Sequence, residues 1–178
     1  MSVLQTVRKD DFVERYNRIL FHEKYKEYIS KNNQAEANRR FCRHNMGHFL
    51  DVARIAMILK ETENYDIAKK GEIAKDMIYG AALLHDVGRW MQYEEGIPHE
   101  KAGVMLAGEI LLDCGYEQEE CRVILEAIGN HRNAEIKDKK NLSGLLYRAD
   151  KLSRACFACE AESECDWKKD KKNLEILW

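Results

Sequence analysis

Apolar residues recur at intervals of three and four along most of the chain, and this spacing predicts helices. The chain has one proline and ten glycines among 178 residues, so few positions break a helix. No stretch alternates between apolar and polar residues for long enough to indicate a β-strand. The pattern predicts an all-α fold, a helical bundle of about six to eight helices forming a single domain over residues 1–178.

The predicted helices follow one another at short intervals. A loop is expected over residues 90–97, and a charged tail over 160–178 that packs on the bundle through apolar residues such as Trp167 and Leu174. The predicted helices are an N-terminal helix over 9–30, a short one over 34–43, one beginning near His44, one over 73–86, one from Pro98, one over 121–128 and one around 142–152.

Composition and charge narrow the classes of function. Apolar residues are 45% and charged residues 34% of the chain, which is typical of a folded domain rather than a disordered one. The net charge of −2 gives no electrostatic basis for binding a nucleic acid polymer, although a small anion remains a suitable partner. No apolar run approaches the ~20 residues of a membrane span, and the N-terminus lacks the pattern of a signal peptide. We therefore expect a cytoplasmic protein whose oligomeric state, a homodimer included, is left open.

Six histidine and aspartate residues lie at or near the ends of predicted helices or beside their apolar faces. The pair His85-Asp86 directly follows the apolar residues 81–84, where two ionisable groups cost several kcal/mol unless they are paired or bound to a metal. Imidazole and carboxylate together suit Mn²⁺, Fe²⁺, Zn²⁺, Co²⁺ or Ni²⁺. The six residues are His48, His85, Asp86, His99, His131 and Asp150.

The order of four of these residues resembles the H…HD…D signature of the HD-domain superfamily of metal-dependent phosphohydrolases. The segments HFLDVARIA, AALLHDVGR and LYRADKLSR carry the likeness, which covers roughly residues 40–155. In that superfamily the matching residues hold a metal ion. The resemblance therefore implies that His48, His85, Asp86 and Asp150 are ligands of a first metal in an HD-type bundle.

Two further histidines resemble the additional ligands of the branches that read H…HD…H…H…D and hold two metals. By that likeness Asp86 bridges to a second ion that His99 and His131 bind. The resemblance implies one or two divalent transition metals, with Mn or Fe expected first and Co, Ni, Zn or Mg as other occupants.

The resemblance also implies the reaction. A metal-bound hydroxide would hydrolyse a phosphomonoester or phosphodiester of a small molecule, expected to be a nucleotide. Asp86, Arg89 and Lys151 are the predicted catalytic residues, and Arg89 and Lys151, joined by Arg132, are predicted to bind the substrate phosphate. Three other cations are further candidates: Arg43, Lys101 and Arg154.

Two other functions remain open. The chain could be a nucleotide-binding regulatory module on the same scaffold without turnover. It could also be a Cys-centred metal or redox protein, since Cys156, Cys159 and Cys165 have the spacing C-x₂-C-x₅-C. A fourth thiol would have to come from elsewhere in the chain, and cysteines in a helical pattern can equally be small core residues. The candidates for that fourth position are Cys42, Cys114 and Cys121.

Three residues near the predicted ligands have more than one interpretation. His44 shares a helix face with His48, so it is either a hydrogen-bonding partner of the ligands or a substitute ligand. Trp90 and Tyr93 follow the His-Asp pair and either stack on a nucleobase or pack against the protein.

Overall fold

The computed structural model describes residues 14–63, 65 and 71–177. Within these ranges the chain forms eight α-helices and short 3₁₀ helices, with no β-strand, which confirms the prediction of an all-α fold. The helices are α1 Arg15–Phe21, α2 Glu23–Ala35, α3 Met46–Glu63, α4 Gly71–Leu84, α5 Arg89–Glu94, α6 His99–Asp113, α7 Gln118–Asn130 and α8 Leu142–Leu152.

The N-terminal helix predicted over 9–30 is wrong, because α1 and α2 are separate helices. His22 lies between them with an extended backbone (ψ 129°), and its Nε2 lies 3.0 Å from Asp113 Oδ2 at the end of α6. This contact with a distant helix fixes the break, which the local sequence does not mark with proline or glycine. Residues 9–13 of the predicted helix lie outside the described part of the chain.

Two predictions for short segments are also wrong. The helix expected over 34–43 is absent, since α2 ends at Ala35 and α3 begins only at Met46. The loop expected over 90–97 is mostly the helix α5, whose buried Trp90 and Met91 pack with Ala102 of α6. A six-residue helix is too short to show a periodic pattern of its own.

Helix α4 lies at the centre of the bundle, in contact with α1, α3, α6, α7 and α8. Residues 81–84 near its C-terminus are at most 1% exposed. The chain that leaves α4 therefore begins inside the core, and the next two residues, His85 and Asp86, are 0% and 2% exposed. None of the helices in the described ranges combines the length and the hydropathy that crossing a bilayer requires.

The chain after α8 forms three short 3₁₀ helices, Cys156–Ala158, Glu162–Glu164 and Lys169–Lys171. Asn173 joins this tail to the end of α8: its Nδ2 lies 2.9–3.1 Å from the carbonyl oxygens of Lys151, Leu152 and Arg154. The backbone N–H of Phe157 in turn donates to the carbonyl of Asn173 at 3.0 Å. The tail is thus bound next to the helix that carries Asp150.

Candidate metal centre

Five helices bring the six predicted ligands together around Asp86. His48 comes from α3, and His85 and Asp86 form the turn after α4. The other three are the first residue of α6, the residue after α7 and a residue near the end of α8: His99, His131 and Asp150. In the described part of the chain their ligand atoms form two groups, His48–His85–Asp150 and Asp86–His99–His131, with the atoms of each group within 4.8 Å of one another.

The first group surrounds one oxygen of Asp86. Nε2 of His48 lies 3.2 Å from Nε2 of His85, and these nitrogens lie 3.5 and 3.9 Å from Asp150 Oδ1. Asp86 Oδ2 is 3.2 Å from His85 Nε2 and 3.7 Å from His48 Nε2. Four side chains from two helices and one turn thus direct their ligand atoms at one small volume.

The second group surrounds the other oxygen of the same carboxylate. Asp86 Oδ1 lies 3.1 Å from His99 Nε2 and 3.7 Å from His131 Nε2, and the two nitrogens are 3.1 Å apart. The two oxygens of Asp86 therefore face the two groups separately. This is the arrangement that a carboxylate bridging two cations requires.

Hydrogen bonds to backbone carbonyls orient two of the imidazoles. Nδ1 of His85 lies 2.7 Å from the carbonyl oxygen of Ala82, and Nδ1 of His131 lies 2.6 Å from that of Ile128. A carbonyl can only accept, so each Nδ1 carries the proton. The lone pair of each ring is then on Nε2, which faces Asp86.

The other two imidazoles are oriented by side chains. Nδ1 of His99 lies 2.6 Å from Gln92 Oε1, an acceptor. Nδ1 of His48 lies 3.2 Å from Ser153 Oγ, whose own proton is donated to the carbonyl of Asp150 at 2.9 Å. The hydroxyl is thus left to accept from His48, and all four rings present Nε2 lone pairs to the centre.

This set of donors fits a divalent cation. Asp86 Oδ1 is buried and has no hydrogen-bond partner. In the neutral rings the paired Nε2 atoms carry no proton, because each ring holds its proton on Nδ1. Burial alone would raise the pKa of Asp86, but His85 and His44 outweigh it and lower the pKa well below its usual range. Burial lowers the pKa of His99 to about 2, with Arg89 acting in the same direction. An ionised carboxylate and neutral imidazoles are the forms that bind a metal.

The pKa values of Asp150 and His85 are also shifted. Burial opposes ionisation of Asp150, but the neighbouring Lys151 ammonium lowers its pKa below the usual range. Burial opposes protonation of His85, yet the carboxylates of Asp86 and Asp150 outweigh it and raise the pKa of that imidazole. The negative charge of these two carboxylates thus favours a cation at the centre.

Asn32 holds the His-Asp turn in place, and the sequence reasoning missed it. Its side chain, on a residue only 1% exposed, donates to the carbonyl of Asp86 at 3.0 Å and accepts from the backbone N–H of Trp90 at 2.8 Å. Its position in the sequence could have identified it, because Asn32 continues the apolar stripe that Tyr25 and Ile29 form on α2. A polar residue in an apolar stripe indicates a buried partner.

Glu36 is a second residue that the sequence reasoning missed. Its carboxylate accepts from His44 Nδ1 at 2.7 Å, from the backbone N–H of His44 at 2.9 Å and from the Tyr93 hydroxyl at 2.8 Å. Burial would raise the pKa of Glu36, but the bonds and charge of His44 and the bond from Tyr93 lower it to about 2. His44 Nε2 lies 3.8 Å from Asp86 Oδ2 and His44 is in neither three-residue group. The geometry of His44 thus favours a hydrogen-bonding partner of the ligands over a substitute ligand.

The predicted phosphate-binding residues lie at different distances from the centre. Arg89 is buried, with Nη1 3.3 Å from His99 Nδ1 and Nη2 3.0 Å from the Tyr93 hydroxyl. Lys151 forms an ion pair with Asp150 Oδ2. Arg132 is exposed, and its charge acts on His99.

The remaining sequence candidates lie further out or are engaged elsewhere. Arg43 and Lys101 are exposed, and the guanidinium of Arg154 lies 4.2 Å from the centre of the Trp167 ring. Trp90 is 9% exposed and packs between Tyr28 and the Lys31 ammonium, which favours packing over base stacking.

Comparison with known proteins gives consistent results. The family model described as "HD domain" matches residues 45–155. An uncharacterized protein of Clostridium beijerinckii is 41% identical over 166 residues, covering 93% of this chain and all of that protein. Ribonuclease Y of Enterococcus faecalis is 28% identical over 132 residues, which are 74% of this chain but only 22% of that enzyme.

One solved structure gives the same result for the fold. The crystal structure of a predicted HD superfamily hydrolase from an uncultured Thermotogales bacterium superposes with a TM-score of 0.56. It is 22% identical in sequence, and the match covers 84% of this chain and 81% of that one.

Proposed function

Because the chain belongs to the HD-domain family, we propose that it is a metal-dependent hydrolase of phosphomonoesters or phosphodiesters whose substrate is a nucleotide or a related small molecule. The observation that supports this proposal best is the position of Asp86. Its two buried oxygens face separate groups of imidazole nitrogens. Such a site is suited to two cations a few ångströms apart, as in enzymes that hydrolyse phosphate esters.

The ligands divide into two sets. His48, His85, Asp86 and Asp150 would hold the first ion, and Asp86 with His99 and His131 would hold the second. Mn²⁺ and Fe²⁺ are the occupants that mixed nitrogen and oxygen donors suit, and Co²⁺, Ni²⁺, Zn²⁺ or Mg²⁺ could replace them. When bound, such ions lower the pKa of water and offset the charge on phosphoryl oxygens.

Three cations are proposed to bind the substrate phosphate. Lys151 can share its ammonium between Asp150 and a phosphoryl oxygen, because a lysine has three donors. Arg89 is held beside His99 by Tyr93, so its charge lies near the second set of ligands. Arg132 is exposed and could contact the part of the substrate nearest to solvent.

Two alternatives differ from this proposal in what the site acts on. The similarity to ribonuclease Y supports a phosphodiester as the scissile group, although the chain spans only 22% of that enzyme. The net charge of −2 does not favour a long polyanion, so a short oligoribonucleotide is the form to test. A regulatory module would instead bind a nucleotide and leave it intact.

The test is a substrate screen with a matched pair of variants. Metal-free protein is loaded in turn with Mn²⁺, Fe²⁺, Co²⁺, Ni²⁺, Zn²⁺ and Mg²⁺, and products are measured from nucleotides, dinucleotides and short oligoribonucleotides. We expect turnover that Asp86→Asn lowers by more than about a hundredfold, since losing even a partner of a metal ligand costs about 10- to 100-fold. Asp138→Asn, which changes an exposed carboxylate, should retain turnover.

Two results would refute the proposal. Turnover that survives Asp86→Asn would show that this site does not take part in the reaction. Metal-loaded protein that binds nucleotides and releases no product from any of them would favour the regulatory module.

A further inference from the structure

Four cysteines line one cavity beside the end of α8. Cys156, Cys159 and Cys165 come from the tail, and Cys42 comes from the segment between α2 and α3. The cavity has a volume of about 280 Å³, against the roughly 30 Å³ that one water molecule occupies in the liquid. All four thiols are free. Cys42 is at least 114 residues away in sequence from the three tail cysteines, yet all four line a single cavity.

The other two cysteines do not belong to this set. Cys114 and Cys121 are 0% and 6% exposed and pack in the hydrophobic core. Of the three residues that the sequence offered as a fourth thiol, only Cys42 therefore lies with the C-x₂-C-x₅-C segment.

The spacing of the four thiols does not suit a single ion. Among the described residues, the groups with three ligand atoms within 4.8 Å of one another are the two around Asp86, and neither contains a cysteine. A tetrahedral zinc ion with Zn–S bonds of about 2.3 Å needs its sulfurs closer together than that. A cuboidal iron–sulfur cluster holds its four cysteine sulfurs further apart, because each sulfur binds a different iron.

The charge around the cavity favours an anionic occupant. Arg40, Arg43, Arg154 and Lys172 line it, against the two carboxylates of Asp51 and Glu162. A cluster bound by four thiolates carries a net negative charge, which these cations would offset.

The tail thiols lie close to Cys42, since Cys156 and Cys159 both interact with it electrostatically.

The tail that carries three of the thiols has almost no core of its own. Ala161 is the one buried apolar residue among the described residues after 155. The segment is built from 3₁₀ helices of three residues each, which contribute little stability alone. A bound metal centre is a common way to stabilise such a segment.

The cavity adjoins the centre around Asp86 and shares one side chain with it. Of the six candidate ligands there, His48 alone lines the cavity. Its Nδ1 forms a hydrogen bond with Ser153, which also lines the cavity. From these observations we propose that Cys42, Cys156, Cys159 and Cys165 bind a [4Fe–4S] cluster. This site goes beyond the proposed hydrolase and does not depend on it.

The experiment measures iron and acid-labile sulfide in the full chain. Protein purified without oxygen, or reconstituted with ferrous iron and sulfide, should contain about four sulfides per chain, at least as many irons, and a broad visible absorption. Single changes to serine at Cys42, Cys156, Cys159 or Cys165 should each remove most of the sulfide. The matched control is Cys121→Ser, a buried cysteine outside the cavity, which should retain it.

The sulfide assay also distinguishes this site from the Asp86 centre. Asp86→Asn should lower the iron content but leave the sulfide unchanged, because ions at the His/Asp centre bring no sulfide. Loss of sulfide in Cys121→Ser as well as in the four variants would overturn the proposal. So would one zinc per chain without sulfide, or thiols that retain neither metal after reconstitution.

Discussion

At the scale of single residues, Glu36 connects the outer side of the candidate centre to its surroundings. Its carboxylate accepts from His44 and Tyr93, and Tyr93 in turn accepts from Arg89. His44 lies near Asp86, and Arg89 lies near His99. One buried carboxylate thus positions a side chain beside each of the two ligand groups.

The shifted pKa of Glu36 predicts a pH-dependent contribution to stability. Its pKa of about 2 in the folded chain is below the roughly 4.3 of an unfolded chain. The stabilisation is therefore complete above pH 4.3 and is lost as the pH falls toward 2. In metal-free protein we expect Glu36→Gln to lower the free energy of unfolding by about 2–3 kcal/mol at pH 6, and by progressively less below pH 4.3.

Urea denaturation of wild type and variant across this range measures the effect. Glu95→Gln, at an exposed glutamate, is the matched control. A cost of Glu36→Gln that is the same at pH 6 and pH 3 would show that the charge of Glu36 is not what stabilises the fold.

At the scale of elements, the long amphipathic helices could be predicted and the short ones could not. α3, α6, α7 and α8 lie within a few residues of their predicted positions because each buries a periodic apolar face. The break at His22 and the helix α5 depend on contacts with α6, which no local pattern shows. The segment after Ala35 turns away because Glu36 bonds His44, eight residues further on.

The packing of the His-Asp turn against α6 predicts opposite effects for two glycines. A Cβ at Gly88 would lie 2.5 Å from Ala102 Cβ and 2.7 Å from the backbone nitrogen of Gly103. The backbone of α6 cannot move aside without loss of packing, so Gly88→Ala should push the turn away from α6. We expect the free energy of unfolding to fall by about 1–3 kcal/mol. Because α6 begins with His99, metal affinity should fall too.

Gly108→Ala provides the control within the same helix. A Cβ there would lie 3.7 Å from Leu125 Cδ1, an ordinary contact. Alanine is favoured over glycine in a helix interior by about 1 kcal/mol, so this variant should be more stable than wild type. Thermal unfolding and metal titration of both variants check the prediction, and equal stability of the two would contradict it.

At the scale of the whole molecule, the candidate ligands could be predicted from their order in the sequence. The residues that orient them by hydrogen bonds could not. The H…HD…H…H…D pattern picked out six residues that the fold brings together around Asp86, and their binding of metal stays a prediction. No comparable signal marked Asn32, Glu36 or Ser153. Each forms a hydrogen bond with a residue that only the folded chain brings close to it. Motifs mark the ligands because chemistry restricts their identity, whereas a supporting hydrogen bond can come from any nearby element.

The arrangement of the centre predicts that metal binding stabilises the whole bundle. The candidate ligands extend from His48 to Asp150 and come from α3, the turn after α4, α6, α7 and α8. An ion that binds the folded chain alone adds about 2.7 kcal/mol when its concentration is a hundred times the Kd. For a chain of this length that corresponds to a rise in Tm of roughly 5–10 °C.

Mn²⁺ is the ion with which to measure this effect, because thiolates bind it weakly and the four cysteines beside α8 should contribute little. We expect the Tm of chelator-treated protein to rise with Mn²⁺ concentration and to return to its starting value when the chelator is restored. Asp86→Asn should remove most of the rise, since Asp86 faces both groups of ligands, whereas Cys156→Ser should preserve it. A rise of the same size in Asp86→Asn would mean that Mn²⁺ stabilises the chain elsewhere, and the convergence of five helices on Asp86 would then serve packing rather than metal binding.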